Sequence, residues 1–240
     1  MKSLSERIVE WIKDIVRSSG AGGVVMGLSG GIDSAVAAAL CKKAVGERVL
    51  GLLMPCHSEP GDLSDSQKVA GVFGIKTEKV DLTAVYDLLV SILPSSNKLA
   101  NANLKPRLRM AVLYHYAKML NYLVAGTGNR TEIEIGYFTK YGDGASDFMP
   151  LGGLLKREVS SLARELGVPE EIVNKPPTAG LWKGQTDEGE IGISYEELDD
   201  IIFSLGTGKV EKLSRVNLAN VRKLIESSEH KRKPVPKFIP

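Results

Sequence analysis

The sequence predicts an α/β fold, an open doubly wound parallel sheet with helices on both faces. Three observations carry this: apolar stretches that lack in/out alternation, helical segments between successive stretches, and a glycine-rich turn joining the first stretch to an alanine-rich helix. With 240 residues, 43% hydrophobic and 25% charged, the chain can bury a sizeable core, which excludes disordered and fibrous architectures.

Leu4, Ile8, Ile12, Ile15 and Val16 recur at helical spacing, and the Gly20-Ala21-Gly22-Gly23 cluster stops that helix. Residues 24–28 (VVMGL) read as the first strand, Ser29-Gly30-Gly31 as a turn, and Asp33 to Ala44 as a helix, because alanine is the best helix former. The unit repeats in kind. RVLGLLMP (48–55) is a strand, Asp62 to Phe73 a helix, KTEKVDL (76–82) a third strand, and Thr83 to Leu93 an amphipathic helix. A helix from Leu104 to Leu120 then leads into a fourth strand, NYLVAGTG (121–128). Right-handed crossovers between such strands build the doubly wound layer. Beyond Phe138 come the glycine-rich YGDGASD (141–147), a helix from Lys156 to Leu166, and a Pro/Gly-rich stretch from Lys175 to Gly192 of the length that usually serves function. Helices around Ser194 to Leu205 and Asn217 to Ser227 precede a basic, proline-rich tail.

The 31 Lys and Arg nearly cancel the 29 Asp and Glu, and a formal charge of +2 lacks the basic excess of a chain built for phosphate backbones, so no nucleic-acid partner is expected. The best apolar run, Ala111 to Ala125, is interrupted by His115, Lys118 and Asn121, so no membrane partner is expected either. Glu6 and Arg7 fall where a secretory signal would begin its apolar stretch, and the chain reads as cytoplasmic. Cys41 and Cys56 then read as reduced thiols, and the Asn129 sequon as accidental.

The sharpest motif is Gly27-Leu28-Ser29-Gly30-Gly31-Ile32-Asp33-Ser34, directly after the first strand and opening the first crossover helix. Consecutive glycines let main-chain N–H groups converge, the helix N-terminus adds partial positive charge, and Ser29 and Ser34 supply hydroxyls, so the loop suits a polyphosphate. It lacks the lysine of the G-x-x-x-x-G-K-[ST] loop, and an aspartate beside phosphates repels them unless a divalent cation lies between. Mg²⁺, which takes one or two carboxylates plus phosphate oxygens, fits. As a helix cap, Asp33 would instead have a purely local role. Glu132, just past the fourth strand, lies on the rim where ligands of open parallel sheets collect.

The octad resembles the SGGxDS signature of the N-type ATP pyrophosphatases, which bind the pyrophosphate of ATP and adenylate a carbonyl or carboxylate. Downstream, Gly126-Thr127 with Glu132, followed by Gly136-Tyr137-Phe138-Thr139-Lys140-Tyr141-Gly142-Asp143-Gly144, is similar to the GTxxxxE…G-[FY]-F-T-K-[FY]-G-D-G stretch of the ammonia-dependent NAD synthetases. Further matches at Asn103 to Met110, Asp147, Pro150-Leu151, Lys156-Arg157, Lys175 to Ala179, Gly192 to Tyr195 with Asp199-Asp200, and Glu229 to Arg232 extend the resemblance over nearly the whole chain.

The resemblance implies one NAD synthetase domain over residues 1–240. It implies no glutaminase domain, because the phosphate loop begins at residue 27, so free ammonia or a separate donor protein supplies the nitrogen. It implies that deamido-NAD⁺ is amidated at the expense of ATP, through an adenylate, to NAD⁺, AMP and pyrophosphate. The residues it assigns to ATP are Gly27, Leu28, Ser29, Gly30, Gly31, Ile32, Asp33, Ser34, Thr127, Lys156 and Thr178; those it assigns to deamido-NAD⁺ are Arg107, Lys140, Asp147, His230 and Lys231. Asp33 and Glu132 would hold Mg²⁺, and Asp33 and Lys156 would be catalytic, Lys156 supplying the cation that the glycine loop lacks. Arg109 would face solvent. A homodimer is implied, with the dinucleotide near the subunit interface. The competing readings are another SGGxDS adenylating activity, such as tRNA thiolation, and a nucleotide-binding module without turnover.

Overall fold

Ser3 launches the fold: its hydroxyl accepts from the Glu6 N–H (3.2 Å) while the Glu6 carboxylate accepts from the Ser3 N–H (2.8 Å), a reciprocal cap on helix α1 (Leu4–Ser19). Gly20, at φ 70°, ends that helix. The computed structural model describes residues 2–182, 184–208 and 214–239. After α1 come β1 (Gly23–Gly27), α2 (Ile32–Val45), β2 (Val49–Leu53), α3 (Pro60–Phe73), β3 (Lys76–Lys79), α4 (Thr83–Ile92), α5 (Lys98–Ala102), α6 (Leu104–Leu120) and β4 (Tyr122–Val124). The remainder is helical: α7 (Arg130–Ile135), α8 (Lys156–Leu166), α9 (Glu170–Val173), α10 (Asp187–Ile191), α11 (Tyr195–Thr207), α12 (Arg215–Ser227) and α13 (Glu229–Arg232).

The four strands are parallel and ordered β3-β2-β1-β4. Val24 of β1 pairs with Val49 on one side and Leu123 on the other. The chain steps outward from β1 to β3 and then returns across the sheet to β4, so the loops after β1 and β4 diverge at the carboxyl edge. Open α/β sheets bind ligands in such a crevice.

Alternate residues of β1 feed two cores. Val24 and Met26 pack with Ile12, Val36, Leu40, Val159 and Leu162 from α1, α2 and α8, whereas Val25 packs with Leu52, Val124 and Ala117 on the opposite face. Both faces are therefore covered, as the expected doubly wound architecture requires. Helix α2 is buried nearly all round, from Ile32 to Val45. A smaller cluster built on Ile135, Leu155, Leu198, Ile201 and Val221 joins α7, the start of α8, α11 and α12. None of the described helices is long and apolar enough to cross a membrane. Cys41 and Cys56 are free and buried.

Three expected strands shorten, the first of them β2, which keeps Val49–Leu53 of the expected 48–55. β3 keeps only Lys-Thr-Glu-Lys because it is the exposed edge, where charged side chains discourage further pairing. β4 stops at Val124, and Ala125 bridges to Phe148 before Gly126-Thr127-Gly128 leaves the sheet. Helices α5, α7, α9, α10 and α13 have four to six residues each, too few for a periodic apolar pattern to reveal them.

The phosphate-type loop rests directly on α3. Gly30 has φ +78°, and a Cβ there would lie 2.6 Å from the Asp62 carbonyl oxygen. Gly30→Ala should therefore lower stability by about 1–3 kcal/mol, read as a shifted urea midpoint. An unchanged midpoint would show that α3 does not hold the loop.

Candidate active site

At the carboxyl edge of the sheet lies a cavity of about 300 Å³. Its floor is the loop from Gly27 to Ser34, without Gly30, and its walls include Thr127, Glu132, Lys156, Lys175, Thr178 and Asp187. The loop keeps its shape through its own hydroxyls. Ser34 Oγ donates to the Gly31 carbonyl (2.9 Å) and accepts from the Ser29 N–H (3.3 Å), while Ser29 Oγ accepts from the Gly31 N–H (3.3 Å). Helix α2 then begins without a side-chain cap, which leaves first-turn amides and the positive end of the helix dipole for a ligand.

Asp33 does not cap its own helix. Its Oδ1 accepts from Asn129 Nδ2 (2.9 Å) and its Oδ2 from Lys156 Nζ (2.5 Å). The same ammonium reaches Glu132 Oε1 at 3.3 Å, so one buried lysine bridges two carboxylates delivered by the loops after β1 and β4. Asn129 and Glu132 form a reciprocal cap on α7: Asn129 Oδ1 accepts from the Glu132 N–H (3.0 Å), and Glu132 Oε2 from the Asn129 N–H (3.4 Å). That cap fixes the carboxylate. Beneath lie Tyr195, its ring 4.8 Å from the Lys156 ammonium and its hydroxyl 3.3 Å from Glu132 Oε1, and the buried Asp187, within 3.0–3.1 Å of the hydroxyls of Tyr137 and Tyr195.

Burial and the neighbouring Asp33 charge push the Glu132 carboxyl up to about 7, against the opposing pull of Lys156. Burial alone would lower Lys156, but the Asp33 and Glu132 carboxylates outweigh it and raise the ammonium above its ordinary value. Burial raises Asp187, and burial together with adjacent carboxylates raises Tyr137 and Tyr195, keeping both phenols as hydroxyls.

Asp33 and Glu132 offer hard oxygen donors that converge on the Lys156 ammonium. Among the described residues no group of three or more His, Cys, Asp or Glu could cage a metal alone, so a metal here would need phosphate and water oxygens as well. Mg²⁺ favours that donor set.

The residues expected at the dinucleotide do not line the cavity. Arg107 Nη2 donates to the Lys140 carbonyl (3.4 Å), Lys140 Nζ to the His230 carbonyl (2.6 Å), and Lys231 Nζ to the Gly136 and Phe138 carbonyls (2.7 and 2.8 Å). These four thus gather where α13 meets the 136–140 loop. Asp147 stands apart: its carboxylate accepts from the Val124 N–H (2.7 Å) and the Tyr114 hydroxyl (3.3 Å), pinning the end of β4.

Arg109 corrects the expectation of a solvent-facing side chain. It is half-buried, lines the cavity and donates Nε–H to the Met54 carbonyl (3.1 Å), with burial lowering its basicity. The sequence reading assigns no role in the site to Asn129, Lys175, Asp187 or Tyr195, although Lys175 and Tyr195 stand in stretches that carry the resemblance. Lys175 is clamped by Asp62 (2.9 Å) and Asp65 (2.6 Å) of α3. Asn129 carries a physical signal of its own, the Asn-x-x-Glu spacing of a capping box.

A family model described as NAD synthase matches residues 4–235. The NH₃-dependent NAD⁺ synthetase of Carboxydothermus hydrogenoformans is 48% identical over 95% of this chain and 94% of its own length, and that of Archaeoglobus fulgidus 46% identical over 96% and 94%. Among solved structures, NMN synthetase from Francisella tularensis superposes with a TM-score of 0.91 at 38% identity, covering 98% of this chain and 97% of that one. The NH₃-dependent NAD synthetase of Campylobacter jejuni, in complex with nitrate ion, gives 0.86 at 30% identity, covering 99% and 97%.

With its carboxyl at about 7 in the folded protein against 4.5 ordinarily, Glu132 retains a proton on folding between those pH values. The stability this contributes is complete below about pH 4.5 and is lost as pH rises through 7. Glu132→Gln keeps the α7 cap and removes the loss. Its urea-unfolding stability without ligands should exceed that of the wild type by about 1–3 kcal/mol at alkaline pH and converge with it in mild acid. A variant less stable than the wild type at alkaline pH would refute this electrostatic assignment.

Proposed function

The chain belongs to the NAD synthase family, and we propose that its loop from Gly27 to Ser34, with Asp33, Glu132 and Lys156, is the catalytic centre of an ATP-dependent amidation. The enzyme is a carbon–nitrogen ligase that converts deamido-NAD⁺ and ammonia to NAD⁺, with ATP cleaved to AMP and pyrophosphate. The observation that carries the assignment of residues is the Asp33–Lys156–Glu132 bridge beside the uncapped start of α2.

In the first step a nicotinate carboxylate oxygen attacks the α-phosphorus, and the bond to the β-phosphate oxygen breaks, releasing pyrophosphate. In the second, ammonia adds to the activated carbonyl carbon, AMP departs, and nitrogen loses a proton to give the amide. Both attacking groups come from the substrates, so the protein's task is placement and charge. An anionic carboxylate must approach an anionic triphosphate. The amides at the start of α2 and of the glycine loop offset charge on the departing pyrophosphate, the Lys156 ammonium adds a full positive charge, and the Thr127 and Thr178 hydroxyls offer further donors. Asp33 and Glu132 would hold Mg²⁺, which neutralises phosphate charge when bound. Arg107, Lys140, Asp147, His230 and Lys231 are proposed for the dinucleotide, with the 136–147 segment joining them to the cavity through Gly142, Asp143 and Ala145.

One domain over residues 1–240 is proposed to do all of this in the cytoplasm with ammonia as the nitrogen source. The near-complete coverage of relatives named NH₃-dependent supports that choice of nitrogen donor. A homodimer is proposed as well. Helix α4 buries none of its residues, and Val85, Leu88 and Ile92 are 52%, 64% and 71% exposed, with Met119 of α6 at 59%. Such a surface suits a second copy of the chain.

Protein supplied with ATP, Mg²⁺, deamido-NAD⁺ and ammonium should release AMP and pyrophosphate in equal amounts, and only when the dinucleotide is present. Release of ADP would reject adenylation. Nicotinate mononucleotide, the acceptor suggested by the Francisella neighbour, belongs in a parallel reaction; faster turnover on it would reassign the acceptor. Lys156→Gln should cut kcat by roughly a hundred- to a thousandfold, the equivalent of about 2.7–4 kcal/mol. Light scattering should give twice the chain mass for the wild type and the single-chain mass for Leu88→Glu, and a monomeric wild type would overturn the dimer.

A further inference from the structure

Helix α8 begins at Lys156, yet its N-cap residue, Leu155, has no polar side chain with which to satisfy the orphan amides. The acceptors come from two other helices, α11 and α7. Asp199, on α11 and 1% exposed, takes the Lys156 N–H on Oδ1 (3.2 Å) and the Arg157 N–H on Oδ2 (2.8 Å). Its Oδ1 also accepts from the hydroxyl of Thr131 (2.5 Å), a fully buried residue of α7 immediately before Glu132. The Thr131 oxygen in turn accepts from the Lys156 N–H (3.1 Å). Arg157 sends its guanidinium outward to the exposed Asp200 (2.6 Å), so the Asp199 charge rests on the helix amides and dipole. One carboxylate therefore ties together the backbone at Lys156 and the residue adjoining Glu132.

We propose that Asp199 is a positioning residue that sets the separation of the Glu132 carboxylate and the Lys156 ammonium, and so governs turnover while touching neither substrate. This rests on the functional reading above. Without Asp199 the first turn of α8 is free to shift relative to α7, and Lys156 no longer stands where charge develops on the leaving pyrophosphate.

The test compares AMP release by the wild type, Asp199→Asn, Lys156→Gln and the double variant, with Val221→Ala as a control that loosens the same hydrophobic cluster at a distance from the cavity. Asp199→Asn should lower kcat about 10- to 30-fold and leave KM for ATP within about twofold. On the Lys156→Gln background it should cost less than about twofold more, because its effect passes through that lysine. Val221→Ala should lose stability and keep kcat. Unchanged kcat in Asp199→Asn, the same full loss repeated on the Lys156→Gln background, or an equal kcat loss in Val221→Ala would each overturn the proposal. Should Asp199→Asn fail to fold, Thr131→Val and Thr131→Ser replace it: the serine should keep turnover and the valine lose it, and equal rates would overturn the assignment. A wild type that releases no AMP would instead remove the functional reading beneath it.

Discussion

Two largely buried carboxylates and one buried ammonium meet at the cavity, and much of the surrounding structure answers the electrostatic demand this makes. Asp33 and Glu132 repel one another in a medium where charge is poorly screened, and Lys156 bridges them. Removing Lys156 would leave both carboxylates uncompensated, and breaking a buried pair in that way typically costs about 3–5 kcal/mol. The three groups come from three separate elements, the start of α2, the first turn of α7 and the start of α8. Their mutual attraction therefore fastens the loops of the sheet edge together as well as neutralising charge. An anionic ligand entering this place meets a lysine already held in line by carboxylates that can also take a cation.

Topology makes the meeting possible. Because β1 is central and β4 joins it from the side opposite β2, the loops that follow these two strands open away from each other, and the cavity occupies the gap. Helix α3 braces one side twice, through the Gly30–Asp62 approach beneath the loop and through Lys175 clamped by Asp62 and Asp65 above it. On the other side α11 and α12 build a second small core that holds α7 and the head of α8.

Local chemistry was legible in the sequence and distant chemistry was not. The glycine loop could be read because its function lies in consecutive residues, and α1 because Leu4, Ile8, Ile12 and Val16 recur at helical spacing along its sixteen positions. Arg109 was misread, since periodicity says which side chains share a face and not which face a neighbouring loop covers. Its partner, the Met54 carbonyl, is 55 residues away in sequence. Asp187, Tyr195 and Asp199 act through bonds that only the folded arrangement of α7, α8, α10 and α11 creates. The resemblance covers Tyr195 and Asp199 without giving them a role, and Asp187 stands in the sequence among ordinary acidic residues. Strand ends were overdrawn for a related reason: apolar content continues past the point where a partner strand stops.

Helix α2 is lined by Ala35, Ala37, Ala38 and Ala39 and is enclosed on nearly every side. Alanine has no rotamers to lose, so these four positions are buried without a side-chain entropy penalty. The turn at its tip is held before any nucleotide arrives by the hydrogen bonds of Ser29 and Ser34. Association at that end then requires little ordering of the backbone, and more of the interaction energy remains for tightening around the reacting phosphorus.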